Sequence, residues 1–272
     1  MGHHSINGRV LIIAGSDSGG GAGIQADIKT VTALGSYAAT AVTAVTDQNT
    51  LGVHGVHNIP PDFVASQIRT VLTDIGADVI KTGMLASVDV VNAVADACAT
   101  YGPRIPRVID PVMVATGGHR LIADGATSTM AKRLIRGAAV VTPNLPEAEV
   151  LTGLRIRTLA DMDAAIDALR ELSADAVLLK GGHVEGNQIT DLLITKDVVE
   201  RFEGPRLETK STHGTGCTLA SAVAAGLTQG LGLSAAVMTA REFVRDAILT
   251  APVFGRGHGP LNHVHAIAGT SK

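Results

Sequence analysis

The sequence predicts an α/β fold built on a central, mostly parallel sheet. Short apolar runs alternate with amphipathic helical segments along most of the chain, the pattern of successive βαβ units. Glycine is frequent, with 31 copies in 272 residues, and several glycines cluster directly after the apolar runs. Polar residues also gather after those runs, at the carboxyl ends of the expected strands, where open parallel sheets bind ligands.

Arg9–Ser16 reads as a buried strand ending beside Gly15. Ile24, Ile28, Val31 and Leu34 then share one face of a helix over Gly23–Gly35, with Gly35 as its stop. Tyr37–Val45 reads as a second strand, and Pro60-Pro61-Asp62 opens a helix carrying Phe63, Val64, Ile68, Val71, Leu72 and Ile75. Asp78–Gly83, Arg107–Asp110, Ala138–Thr142 and Ala176–Gly182 are expected strands, separated by helices at Ser87–Thr100, Asp124–Arg136 and Leu159–Ser173. Ile189–Phe202 reads as a hairpin turning at Lys196-Asp197, and Gly216–Gln229 and Ser234–Thr250 as two closing helices. No linker or charge run divides the chain. Residues 1–8, with His3 and His4, read as a disordered or tag-like tail, and 9–272 as a single domain.

Composition narrows the function. Acidic residues exceed basic ones by 25 to 22, and the basic ones are scattered, which argues against nucleic acid as a partner. The apolar runs are too short to span a bilayer, and the N-terminus lacks the regions of a signal peptide. Cys98 and Cys217 stand far apart, so neither a zinc site nor a disulfide framework is expected, and a reducing compartment such as the cytoplasm fits. Cys98 reads as core.

Five segments carry chemistry. In Thr212-His213-Gly214-Thr215-Gly216-Cys217-Thr218 a glycine loop feeds a helix N-terminus, a ready anion site whose dipole would lower the pKa of Cys217. The plain alternative is a helix start capped by Thr215, with Cys217 as a small buried residue. Gly15–Gly23 is a second glycine loop, read as a cover over substrate, with Asp27 pointing at the site. Gly21, Gly23 and Ala26 match a dinucleotide fingerprint, but six residues too late after the strand. Asn144 and Glu147 fit a capping box; Glu147 and Asp110, at neighbouring strand ends, equally suit Mg²⁺. Lys180 ends an apolar strand and would welcome a phosphate. Gln48 offers a donor and an acceptor side by side, matching the edge of an aminopyrimidine. His183 and the other histidines read as bystanders.

These segments, together with Lys81-Thr82-Gly83-Met84-Leu85 and Ile109–Met113, resemble the hydroxymethylpyrimidine/phosphomethylpyrimidine kinases of thiamine biosynthesis, a branch of the ribokinase-like superfamily. The likeness runs from about Val10 to Pro260 in family order and spacing. It implies a ribokinase-like domain with helices on both faces of the sheet, a homodimer, and two successive ATP-dependent phosphorylations. These convert 4-amino-5-hydroxymethyl-2-methylpyrimidine to its monophosphate and then its diphosphate. By the same resemblance Gln48 would hold the pyrimidine edge, Met84 would pack on the ring, and Gly15 and Asp27 would line the pocket. Gly214, Thr215, Gly216 and Cys217 would form the anion hole, with a Cys217 thiolate accepting the alcohol proton. Lys180 would contact the transferred phosphates, Asp110 and Glu147 would act on Mg²⁺, and Asn144 and Thr212 would lie near the nucleotide. Asp47 and Arg256 depart from the family pattern beside the proposed chemistry. A pyridoxal-type kinase, a dinucleotide oxidoreductase and a non-catalytic pyrimidine-binding protein remain alternatives.

Overall fold

The computed structural model describes residues 6–113, 121, 123 and 125–268. Among them the strands form one nine-stranded sheet in the order β3-β2-β1-β4-β5-β6-β7-β8-β9. The six strands β1 (Arg9–Asp17), β2 (Tyr37–Asn49), β4 (Val79–Thr82), β5 (Arg107–Ile109), β6 (Val140–Val141) and β7 (Ala176–Leu179) run parallel. Antiparallel strands complete both edges: β3 (Gly52–Asn58) beside β2, then β8 (Gln188–Thr195) and β9 (Val199–Pro205) beside β7. The expected α/β sheet is therefore present, and the hairpin at Lys196-Asp197 is β8–β9. Strand β3 was not foreseen. Its sequence, Gly-Val-His-Gly-Val-His-Asn, has no apolar run, and its side chains are mostly exposed on the sheet edge.

Alternation along the strands sorts side chains into two cores. Leu11, Ile13, Ile80, Ile109, Val141, Val177 and Leu179 pack on one face, under α2 (Pro61–Asp74), α3 (Val88–Tyr101), α4 (Ala126–Met130) and α5 (Leu145–Thr152). The same layer holds α6 (Leu159–Ala164) and α7 (Ile166–Arg170), into which the single helix expected over Leu159–Ser173 divides. Helix α4 runs on into a π-helical turn, Ala131–Ile135; the Asp124 start expected for it lies outside the described residues. Val10, Ile12, Val79, Val108, Val140 and Leu178 face the opposite layer of α1 (Gly23–Ala33), α8 (Thr215–Thr228) and α9 (Leu233–Leu249). A last turn, α10 (His265–Ala268), follows α9. With 2% aromatic residues, packing relies on small aliphatic side chains, and α8 buries nine of its residues, four of them Ala. Of the expected N-terminal tail, residues 1–5 lie outside the description, whereas the Asn7 N–H donates to Gly35 O at 2.9 Å.

One ion pair is sealed inside the α1 side. Lys81 of β4 donates to both carboxylate oxygens of Asp27 at 2.8 Å, and neither side chain is exposed. Ser221 of α8 donates to the same carboxylate at 2.7 Å. Asp27 therefore does not point at the site, as the sequence reading expected. Ala26, Asp27, Thr30 and Val31 make the buried face of α1, which turns the carboxylate toward the underside of the sheet end, where Lys81 meets it. Burial pushes the Asp27 carboxyl up despite the Lys81 charge, and the Lys81 pKa is raised because Asp27, Cys217 and Asp110 together outweigh its desolvation.

Removing one partner of a buried pair strands the other charge, a loss of about 3–5 kcal/mol. Asp27→Leu should therefore destabilise the protein by about that much in urea unfolding, while Asp27→Leu with Lys81→Met should recover most of the loss. A double variant no more stable than the single one would show that the pair is held for another reason.

Candidate active site

A cavity of about 810 Å³ follows the carboxyl ends of the parallel strands. It lies where the chain, having built β2 and β3 on one side of β1, crosses to β4 on the other, the switch point of a doubly wound sheet. Gly15, Gln48, Met84, Asp110, Asn144, Glu147, Lys180, Thr212, Gly214, Thr215, Gly216 and Cys217 all line it. Twelve residues scattered over some two hundred positions of sequence are thus brought to one place, and Asp27 is the sequence-predicted site residue that is not.

The floor is the start of α8. Gly214 has φ +83°, and a Cβ there would come within 1.9 Å of Gly21 O, so the position excludes any side chain. Gly214 occupies the N-cap and no side chain caps the helix, so the Thr215 cap considered above is not formed. The amides of the first turn have no partners within the helix and carry the positive end of its dipole. A Cβ on Gly216 would lie 3.3 Å from Lys180 Nζ and 3.9 Å from Asp110 Oδ2. An ammonium, a carboxylate and a helix N-terminus therefore converge on one bare backbone position.

Lys180 Nζ donates to Asp110 Oδ1 at 3.2 Å, and Thr142 Oγ1 donates to the same oxygen at 3.1 Å. Burial works against the Lys180 charge, but Asp110 and Glu147 outweigh it and raise its pKa. Glu147 completes the capping box of α5: its carboxylate accepts from the Asn144 N–H at 2.8 Å, and its own N–H donates to Asn144 Oδ1 at 2.9 Å. The capping carboxylate is also in the cavity wall, so its role in the cap leaves it open to the cavity. Burial pushes Glu147 up to about 7; Lys180 opposes the shift and Asp110 adds to it. Two nearly buried carboxylates, one of them reluctant to ionise beside the other, form a donor set that suits Mg²⁺ with phosphate oxygens and water as its remaining ligands.

Cys217 differs from expectation. Burial drives its thiol up to about 12, with Lys81 opposing and Asp27 and Asp110 adding to the rise. Desolvation and two nearby carboxylates outweigh Lys81 and the Gly23 amide, which favours the neutral thiol over the thiolate.

Two residues that the sequence reading passed over join the wall. Asp17, at the end of β1, accepts from the N–H groups of Gly19 (2.8 Å), Gly21 (3.0 Å) and Ala22 (2.8 Å), which folds the first glycine loop. His213, grouped with the bystander histidines, is buried, and its Nε2 sits 2.8 Å from Asp17 Oδ2. Burial pushes Asp17 up, but the His213 bond and the loop amides prevail and lower its pKa. Asp17 was the one carboxylate in a run of glycines and His213 the one ring in the anion loop, which are the signals that could have found them. The dinucleotide fingerprint has a different explanation: a Cβ on Gly21 would meet the His213 ring at 2.4 Å, and one on Gly23 would meet Gly15 O at 2.4 Å. Gly21 thus allows the two loops to touch, and Gly23 lets the first loop close on the end of β1.

A family model described as phosphomethylpyrimidine kinase matches residues 17–262. The thiamine biosynthesis bifunctional protein ThiED of Geobacter sulfurreducens is 51% identical over 95% of this chain, which spans 53% of that longer protein, about half its length. The hydroxymethylpyrimidine/phosphomethylpyrimidine kinase of Bacillus subtilis is 46% identical over 94% of both chains. Among solved structures, an ADP complex of Bacillus subtilis pyridoxal kinase superposes with a TM-score of 0.88 at 35% identity, covering 96% of this chain and 98% of that one.

A thiol of this acidity can be tested by alkylation. In a Cys98→Ser background, the rate of Cys217 modification by iodoacetamide should keep rising with pH beyond about 10. A plateau reached below about pH 8 would show a standing thiolate.

Proposed function

This chain belongs to the phosphomethylpyrimidine kinase family, and on that premise we propose that it uses ATP to phosphorylate 4-amino-5-hydroxymethyl-2-methylpyrimidine to the monophosphate and then to the diphosphate. The observation that carries the reading is the meeting of Lys180, Asp110 and Glu147 with the glycine start of α8. The name of the relative at 46% identity supports the same substrate over the pyridoxal alternative, for which the Bacillus subtilis solved structure stands at 35%.

Phosphoryl transfer needs positioning and charge neutralisation more than covalent help from the protein. The cavity divides accordingly. At the β1–β2 end, Gln48 takes the ring edge, Met84 packs on a ring face, and Gly15 leaves the ring its slot: a Cβ there would sit 3.1 Å from the Met84 sulfur. At the far end, Leu207, Leu219, Val244 and Ile248 offer an apolar wall for adenine, with Asn144 and Thr212 nearer the phosphates. Between them the first-turn amides of α8 and the Lys180 ammonium receive the γ-phosphoryl group. Asp110 and Glu147 would hold Mg²⁺, which supplies charge neutralisation at the phosphate oxygens.

The substrate hydroxyl oxygen forms the new bond to phosphorus as the bond to the ADP oxygen breaks. With the Cys217 thiol pKa raised, the hydroxyl proton passes to an oxygen of the transferred group, and Cys217 serves as part of the loop that holds that group. The second step uses a phosphate oxygen that is already anionic and needs no base. A cytoplasmic homodimer completes the proposal.

A coupled ATPase assay with the hydroxymethylpyrimidine, pyridoxal and ribose tests the substrate class; turnover dependent on pyridoxal alone would favour the other vitamin kinase. Asp110→Asn and Glu147→Gln should each raise the Mg²⁺ concentration for half-maximal rate by roughly tenfold or more, since each removes one of the one or two carboxylates such a site uses. Variants titrating with Mg²⁺ like the parent would reduce the two carboxylates to structural roles.

A further inference from the structure

Gln48 and His213 meet in a way that fixes how a ring can lie in the cavity. Gln48 Nε2 lies 3.3 Å from His213 Nε2, and Gln48 Oε1 lies 3.2 Å from Thr46 Oγ1. The Asp17 carboxylate has no proton to give, so the His213 nitrogen 2.8 Å from it must carry an N–H. That same nitrogen has no lone pair left for the Gln48 amide. Thr46, in turn, donates its hydroxyl proton to Ser16 O at 2.9 Å, leaving an acceptor toward Gln48. A Gln N–H facing a His N–H, and a Gln oxygen facing a committed hydroxyl, are both mismatched. Exchanging the oxygen and nitrogen of the amide, which moves no heavy atom, removes both mismatches: the oxygen then takes the longer, 3.3 Å arm of a three-centre bond from the His213 N–H that Asp17 holds at 2.8 Å. The oxygen then faces His213 and the NH₂ faces Thr46.

From this we propose that His213, itself fixed by Asp17, is a specificity-determining positioning residue. It locks the Gln48 amide with its oxygen toward the anion loop and its NH₂ toward Thr46 of β2. The inference rests on the reading above that Gln48 holds the ring edge.

The locked amide has a consequence for substrate chemistry. It accepts from a ring donor on the His213 side and donates to a ring acceptor on the Thr46 side. His213 adjoins Gly214, so the donor side is also the anion-loop side. In a 4-amino-5-hydroxymethylpyrimidine the amino donor neighbours the hydroxymethyl group and the ring nitrogen acceptor lies beyond it. The ring edge that satisfies Gln48 is therefore the one that sends the hydroxyl toward Gly214–Cys217. A 4-oxo ring, with acceptor and donor exchanged, is mismatched in the same pose. An amide free to rotate would serve both rings.

The test is the ratio of kcat/KM for the 4-amino substrate to that for its 4-oxo analogue. It is measured in the parent, H213A, H213F, Gln48→Ala and the H213A/Gln48→Ala double variant, with the ATP KM of each reporting an intact cavity. H213A and H213F both remove the N–H, and each should lower the preference by roughly ten- to a hundred-fold, the scale of one mismatched buried hydrogen-bonding pair. H213Q keeps a donor within the loop and should retain more of the preference than H213F. In the Gln48→Ala background, loss of His213 should change the ratio less than twofold. An equal loss in both backgrounds, or an undiminished preference in H213A and H213F, overturns the proposal while leaving Gln48 as a ring contact. An undiminished preference in Gln48→Ala overturns the ring-edge reading itself, and this inference with it.

Discussion

The contact on which the site depends is that of the Lys180 ammonium with Asp110 over the bare backbone of Gly216. It needs three things at once. Parallel strands must bring β5, β6 and β7 to a common end, so that Asp110, the Asn144–Glu147 turn and Lys180 arrive side by side. Helix α8 must start there without a side chain in the way. And the pair must be out of bulk water without being sealed, since a fully enclosed charge could not change partners when phosphate arrives. The Lys180 side chain is 14% exposed and Asp110 2%, both on the cavity wall. A phosphate entering this space would give Lys180 the anion it now finds in Asp110, and Mg²⁺ would give Asp110 and Glu147 the cation.

Three carboxylates, one at a strand end and two in helices, show how burial sorts like groups into different work. Asp17 is surrounded by N–H donors and held ionised, so it serves as a fixed anchor for two loops. Asp27 is spent against Lys81 and Ser221 and takes no part in the cavity. Glu147 is nearly buried beside Asp110 and rests near 7, so its charge depends on what binds. The same desolvation that tunes Glu147 silences Cys217. Loss of water and two neighbouring carboxylates push its pKa up against Lys81 and the Gly23 amide.

Much of this was legible in the sequence because the signals were local. Strand–loop–helix punctuation gave the sheet, the capping box of Asn144 and Glu147 could be read directly, and a glycine loop running into a helix pointed to α8. What escaped was set by tertiary contact. The direction of Asp27 depends on which face of α1 meets β4, and periodicity alone left that face open to a cavity reading. His213 resembled any other histidine until Asp17, nearly two hundred residues away, supplied its partner. The pKa of Cys217 follows from how much water the folded site excludes, a quantity no motif encodes. Strand β3 was missed because hydrogen bonding to β2, rather than apolar patterning, makes it a strand.

If one charged cluster serves both acceptors, alcohol and phosphate, then Lys180 is needed equally for each transfer. The direct measurement follows ³¹P NMR resonances of the pyrimidine monophosphate and diphosphate under single-turnover conditions, for the parent and for Lys180→Met. The account predicts that the parent forms the monophosphate and then the diphosphate, and that Lys180→Met slows both steps by a similar factor of roughly a hundredfold or more, the scale of a lost preorganised charge contact. A Lys180→Met protein that keeps either step at the parent's rate would contradict it.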